Sequence, residues 1–493
     1  MGTAQYILNP REAYIAEQQW RVVKRSVDAR QRELRVHLTI LTGDKGNPIA
    51  KDAPIPLYEP PVFQDVHQAE RSVVIIGAGP AGLFAALTLL EHGIKPIIYE
   101  RGKDVSERKR DIALLNRNEG LNEESNYCFG EGGAGTFSDG KLFSRSKKRG
   151  NMQRVMELFH YFGAPDTVLY EAHAHIGSDK LPGIIKRMRE CILEHGGEIH
   201  FESRIDSLRE LKVESLKFKD SPIILAIGHS AHDTYRMLAA EGVTLETKGF
   251  AMGVRIEHPQ ALINKLFYHN ASTEYVGNAS YSLVTQVDGR GVYSFCMCPG
   301  GHIVPAGSSA GSCVVNGMSA SHRNSPYANS GMVVQINPED IEGDDPLRGL
   351  AYQEMLERLA FEHGKAPYIA PAQRMRDFVE GKESKSLPAC SFLPGIVASR
   401  LDQWLPAHIG ARLQQGFRDF DKKHPGFLTN DAVIVGVESR SSSAVRIPRD
   451  PETLESVSTP GLYPCGEGAG YAGGITSSAL DGINAALKIS ELA

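Results

Sequence analysis

A surplus of either charge is missing from this sequence: 54 Lys and Arg stand against 59 Asp and Glu, a formal net charge of −5 with a pI near 6.4. That balance excludes a general binder of nucleic acid or of anionic membrane, which needs a basic excess. Long hydrophobic runs are also scarce. The start, Met1-Gly-Thr-Ala-Gln-Tyr6, has neither the basic nor the apolar region of a secretory signal. Tyr6 also departs from the myristoylation pattern. The most apolar window, residues 73–90, carries three glycines at nucleotide-binding spacing, so no membrane span is expected. Cysteines number seven and lack the spacing of a disulfide framework, which points to a reducing, cytoplasmic setting. His173 and His175 have no third ligand near them in sequence, and no metal site is expected.

What is present is centred on Ser72-Val-Val-Ile-Ile-Gly-Ala-Gly-Pro-Ala-Gly-Leu83. Val73 to Ile76 has the uncharged, β-branched composition of a parallel strand buried on both faces. Gly77, Gly79 and Gly82 follow at G-x-G-x-x-G spacing, and residues 81–90 read as an apolar helix. In a dinucleotide fold the first glycine makes the tight turn. The second lets the pyrophosphate approach, and the third lets helix and strand pack closely. The helix N-terminus adds unpaired N–H groups and positive dipole. Ile97-Ile-Tyr-Glu100 reads as the second strand, and Glu100 stands at the ~20-residue distance of the carboxylate that grips a ribose. The pattern predicts an adenine dinucleotide here.

The chain length implies two or three domains. Residues 1–64 are expected to form a small α+β module ending in a proline-rich strap, 65–248 the first part of a dinucleotide-binding domain, 249–425 an antiparallel α+β substrate or cap domain, and 426–493 the returning C-terminal part. Helices are expected over Ser178 or Asp179 to His195, Leu347–His363 and Leu401–Phe420, and a strand over Asp431–Glu438. Phe129 to Gly140 packs five glycines into twelve residues and is expected to touch a ligand. The fold class is therefore α/β: a Rossmann-like domain of discontinuous segments with an inserted antiparallel domain.

Three stretches together resemble the FAD motifs of the glutathione-reductase-like flavoprotein superfamily. They are Ile75–Leu83 with Glu100-Arg101, Ile224-Leu-Ala-Ile-Gly228, and Gly461-Leu-Tyr-Pro-Cys-Gly-Glu467. More narrowly, Gly130–Lys141, Phe295–Gly301, Asn316–Ser319 and Gly436–Asp450 resemble a bacterial family of uncharacterised FAD-dependent dehydrogenases. The resemblance implies non-covalent FAD held by Gly77, Gly79, Pro80, Ala81, Gly82, Glu100 and Arg101. It adds Gly133, Gly135, Gly140 and Lys141 from the glycine-rich loop, with Ala226 and Gly228. Gly466 and Glu467 would meet the ribityl or pyrophosphate part. Gly473, Gly474 and Ile475 would aim the last helix at the flavin. No second strand–GxGxxG–helix unit follows, so any NAD(P)H is expected to bind only transiently.

Catalytic candidates are Cys296 and Cys298, a C-x-C pair whose side chains share one face of a regular strand. His302 is a candidate acid or base. Arg255, Arg323, Arg440 and Arg446 are candidates for binding a carboxylate or phosphate, with Arg446 preferred because it precedes the C-terminal FAD motif. The expected function is an FAD-dependent oxidoreductase, a dehydrogenase passing two electrons through flavin N5 to or from a small organic substrate. The alternatives are a thiol oxidoreductase using Cys296 and Cys298, and a non-catalytic FAD-bearing factor that binds RNA or protein through residues 1–64.

Overall fold

The computed structural model describes residues 1–143, 150–209, 211, 221–365 and 368–492. It is a mixed α/β structure with one parallel and one large antiparallel sheet. The parallel sheet runs in the order Leu462–Pro464, Ile223–Leu225, Ser72–Ile76, Lys95–Tyr99, Glu198–His200. Ser72–Ile76 lies in its centre, and Val73 to Ile76 are buried because both faces are covered. One face packs on the helices Pro80–Glu91, Leu181–Glu194 and Ile475–Glu491. The other packs on Tyr235 and Leu238 of the His232–Ala240 helix.

Pro80–Glu91 is buried from Ala81 through Leu90, which explains why its sequence shows no polar face. The close layer depends on two glycines. A Cβ on Gly82 would run into the Gly77 carbonyl, and one on Gly482 would run into the Ala81 carbonyl of the facing helix.

The antiparallel sheet has seven strands in the order Val284–Val287, Arg290–Cys298, Tyr327–Ile336, Phe250–Pro259, Val433–Glu438, Ala370–Arg374, Ile396–Ala398. Only the last pair is parallel among the pairings described. The helices Arg348–His363 and Ala407–Lys423 pack against this sheet and bury Leu356, Leu413, Phe417 and Phe420. Val433–Glu438 pairs with Phe250–Pro259 and Ala370–Arg374, so this sheet extends past the 425/426 division expected from the sequence.

Residues 2–42 form a three-stranded antiparallel sheet, Gly2–Leu8, Arg35–Thr42 and Val22–Asp28, with the helix Pro10–Gln19. Asn9 and Glu12 close a capping box at the start of that helix. Buried Arg25 ties this module to the rest of the chain through Glu171 and the Tyr275 carbonyl.

Two helix boundaries differ from expectation. The helix expected from Ser178 or Asp179 begins at Leu181, because the Asp179 carboxylate is taken by the Ser321 N–H and hydroxyl, each at 2.7 Å. The helix expected over Leu401–Phe420 is split into Leu401–Trp404 and Ala407–Lys423. Pro406 lacks an N–H and pushes Leu405 into extended backbone, so the helix cannot run through.

Candidate functional site

Three segments meet at the C-terminal end of the central parallel strand. Gly77 turns out of that strand at φ +106, where a Cβ would strike the Ala226 carbonyl, so only glycine makes the turn beside the Ile223–Leu225 strand. Gly79 then caps the Pro80–Glu91 helix with no side chain, which leaves its first-turn N–H groups unpaired by a cap. The glycine-rich loop crosses over this turn. Gly132 N–H donates to the Ala78 carbonyl at 2.8 Å, and Gly133 lies close against Gly79.

Glu100, only 5% exposed, fastens the three segments together. One carboxylate oxygen accepts the Ala78 N–H at 2.8 Å. The other accepts Gly102 at 2.9 Å and Gly130 at 3.0 Å. Arg108 holds the same loop from below. Its fully buried guanidinium donates to the carbonyls of Asn126, Tyr127, Gly130 and Glu131 and to the Thr136 hydroxyl, at 2.7–3.4 Å. Burial pulls the Arg108 guanidinium down to about 10, which leaves it charged at neutral pH.

The far end of the chain completes the cradle. The Ile475–Glu491 helix starts at Gly474, again without a side-chain cap. A Cβ on Gly228, Gly473 or Gly474 would meet nothing within 4 Å, so these positions border open space. Gly466 N–H donates to Asp481 at 2.7 Å, and Asp481 pairs with Arg449 at 2.7 Å beneath it. Two uncapped helix starts, backbone without side chains and the open space bordered by Gly228, Gly473 and Gly474 match the needs of a pyrophosphate-bearing cofactor.

Beside this cradle a cavity of about 60 Å³ separates the glycine-rich loop from the antiparallel sheet. Cys128 and Ser138 face it from the loop, His229 from the turn after Ile223–Leu225, and Asn316, Glu438 and Arg440 from the sheet side. Each charged group at its wall has a buried partner behind it. Glu438 pairs with Arg255 at 2.9 Å, and Arg440 pairs with Glu357 at 2.8 Å. Burial pushes the Glu438 carboxyl up, and Arg255 only partly offsets this. His229 Nδ1 lies 3.4 Å from Glu467 Oε1, linking the cavity to the C-terminal glycine motif.

A protein of Clostridium beijerinckii, bearing the description "Uncharacterized protein", is 42% identical over 491 residues, which cover 95% of this chain and 92% of that protein. The chain belongs to that protein's family. Residues 70–123 match the FAD binding domain family, and residues 249–441 match the family described as FAD-dependent protein, C-terminal domain-like. FAD is the cofactor. The matching FAD-binding family is a different branch from the glutathione-reductase-like one. Among solved structures, the chain is similar to CmlS, a flavin-dependent halogenase, at 12% identity and a TM-score of 0.33, covering 86% of this chain and 59% of that one. It is also similar to CtdE in complex with FAD and substrate 4, at 10% identity and a TM-score of 0.32, covering 86% and 80%.

The expected cofactor residues fall in two groups. Gly77, Gly79, Pro80, Ala81, Gly82, Glu100, Gly133, Gly135, Ala226, Gly228, Gly466, Glu467, Gly473, Gly474 and Ile475 belong to the segments that form or border the cradle. Arg101 is engaged elsewhere: it pairs with Glu124 and Asp233 and lies over the Phe129 ring at 4.1 Å. Gly140 and Lys141 continue the loop towards the antiparallel sheet, where Lys141 reaches Cys298.

Of the expected catalytic residues, Arg255, Cys296 and Cys298 come together. Cys298 Sγ lies 3.7 Å from Arg255 Nη2 and 3.5 Å from Lys141 Nζ. The two thiols do not share a face as a regular strand predicts. A bulge between Phe295 and Cys298, with Cys296 at φ +43, leaves Cys296 exposed and Cys298 buried. His302 opens its strand with its side chain exposed. Arg446 is exposed beside Tyr471, 5.6 Å from the ring, on a short ribbon with Glu246. Neither lines the cavity.

Sequence reasoning passed over Arg108, Cys128, His229, Glu357 and Glu438. His229 directly follows the Gly228 motif, and Glu438 stands inside the Gly436–Asp450 stretch, so both positions carried a signal. Arg108 carried none, since its partners are backbone carbonyls.

Proposed function

We propose that this protein is an FAD-dependent oxidoreductase of the dehydrogenase kind, moving two electrons between flavin N5 and a small organic molecule at the junction of the two sheets. The cavity that joins the cofactor cradle to the antiparallel sheet carries this reading. FAD supplies the two-electron chemistry, and the protein supplies binding, orientation and electrostatics.

The wall of the cavity is mainly apolar, with Phe137, Val304 and Val315 among its residues, and no net charge faces inward, because Glu438 and Arg440 are each neutralised from behind. His229, oriented by Glu467, is the group to take or return the substrate proton. The uncapped start of Ile475–Glu491 favours negative charge that develops near it. With one dinucleotide unit in the sequence, nicotinamide binds transiently or another donor supplies the electrons.

The purified protein is expected to be yellow, with a flavin spectrum that is reversibly bleached under anaerobic dithionite. A colourless protein that does not take up FAD would sink this reading. Rapid mixing with NADH or NADPH identifies the donor by the rate of bleaching. His229→Ala is expected to lower turnover by a factor of about 10²–10⁴ with the flavin spectrum retained.

The position of Cys298 between Lys141 and Arg255 favours a second reading, a thiol oxidoreductase using Cys296 and Cys298. Unchanged turnover in Cys296→Ser and Cys298→Ser would remove it.

A further inference from the structure

Beyond the cavity, four separate segments bring a cluster of charged and thiol groups to one place. The glycine-rich loop contributes Asp139 and Lys141, the bulged strand Cys296 and Cys298, the Phe250–Pro259 strand Arg255, and the turn after Val315–Met318 contributes Arg323. Asp139 is shared by two cations, Arg323 at 2.7 Å and Lys141 at 3.3 Å. Burial works against ionisation of Asp139, but Lys141, Arg323 and the Ser319 hydroxyl overcome it and hold the carboxyl well below the usual range. Glu438 is already matched to Arg255. Three cations therefore face two carboxylates, and one positive charge is left over. It lies on the accessible side, since the Lys141 side chain is 35% exposed and Arg323 20%, against 4% for Asp139. The excess is felt nearby: burial and then Arg323 lower the pKa values of both His173 and His175.

Backbone strain marks the same place. Cys296 at φ +43 and Arg323 at φ +47 are non-glycine residues in left-handed conformation, a cost that persists only where surrounding structure imposes it. Arg255 imposes it at Cys296 by donating to its carbonyl at 2.8 Å. Cys296 is thus held two residues from Cys298, which Lys141 reaches; burial pushes the Cys296 thiol up to about 12, and Lys141 works against that rise.

We propose that Lys141 and Arg323 form an anion subsite beside Cys296, which receives a carboxylate or phosphate group of the substrate. As a statement about substrate class it rests on the oxidoreductase reading, but the binding of an anion is testable without turnover.

The probe is alkylation of Cys296 in the full-length, FAD-loaded protein by iodoacetate, which is anionic, and by iodoacetamide, which is neutral. Fragment-ion mass spectrometry assigns the label to Cys296, since Cys298 and Cys313 share its tryptic peptide. The iodoacetate-to-iodoacetamide rate ratio is expected to exceed that of free cysteine about fivefold, the effect of one nearby unscreened charge. Lys141→Met and Arg323→Gln are each expected to lower the ratio, with the iodoacetamide rate reporting that the site remains folded. Malonate and inorganic phosphate, added separately, are expected to protect Cys296 from iodoacetate, and the stronger protector names the group. A ratio equal to that of free cysteine, or protection by neither anion, overturns the subsite. So does a preference present only before FAD is loaded, which would assign these cations to the cofactor. If anion capture holds and no flavin-linked turnover is found, the oxidoreductase reading fails alone. If a neutral substrate turns over without any preference for iodoacetate, the subsite fails alone.

Discussion

Glu100 serves as a structural clamp as well as a candidate ribose ligand. Its two oxygens hold backbone N–H groups from three segments at 2.8–3.0 Å. Replacing one oxygen by an amide turns an acceptor into a donor facing N–H groups, and buried hydrogen bonds to a charged group are worth about 1.5–3 kcal/mol each. Glu100→Gln is therefore expected to destabilise the protein by about 2 kcal/mol and to weaken FAD binding, read by thermal unfolding and by flavin-fluorescence titration. Unchanged values of both would remove Glu100 from the clamp. Its distance to the glycines marked Glu100 as a ribose ligand. Its backbone partners at Ala78, Gly102 and Gly130 were not legible, because such hydrogen bonds leave no side-chain signal in the chain. Arg108 shows the same limit, with carbonyl acceptors that any residue supplies.

At the scale of elements, two glycines of the last helix region separate packing from binding. Gly482 sits against the Ala81 backbone, whereas Gly473 faces open space. Gly482→Ala is expected to force the two helices apart at a cost of about 1–3 kcal/mol. Gly473→Ala is expected to leave the melting temperature of the FAD-free protein unchanged while weakening FAD binding. Equal effects of the two variants on stability would show that Gly473 is a packing residue too. The strand and helix around Gly77–Gly82 could be read because their signals, apolar runs and glycine spacing, are local. The seven-stranded sheet showed only as alternating segments. Its order was hidden because Val433–Glu438 pairs with strands distant in sequence, at Phe250–Pro259 and Ala370–Arg374. Pro406 was visible, yet a helical pattern on both sides of it concealed the break.

For the whole molecule, acid sensitivity is expected from a histidine in the core of the antiparallel sheet. His258 is fully buried with Nε2 at 2.9 Å from the Phe427 carbonyl, and burial pulls it down to about 4. Since the folded value lies below the ordinary 6.5, the neutral ring contributes stability that is complete above pH 6.5. That contribution is lost as pH falls from 6.5 towards 4, by about 3 kcal/mol in full. His258→Gln is expected to flatten the fall in melting temperature between pH 7 and 4.5, and a parallel curve would refute the assignment. FAD adds to stability by mass action, about 2.7 kcal/mol at a hundred times its dissociation constant.

The parallel sheet also imposes an order on biosynthesis. The Ile223–Leu225 strand is flanked by Ser72–Ile76 on one side and by Leu462–Pro464 on the other. On the ribosome its second edge stays bare until the whole antiparallel sheet has been translated, on the order of 10–50 s at ~5–20 residues per second. During that interval the nascent chain carries an open sheet edge and an uncovered apolar helix, Pro80–Glu91, the kind of surface that holding chaperones recognise.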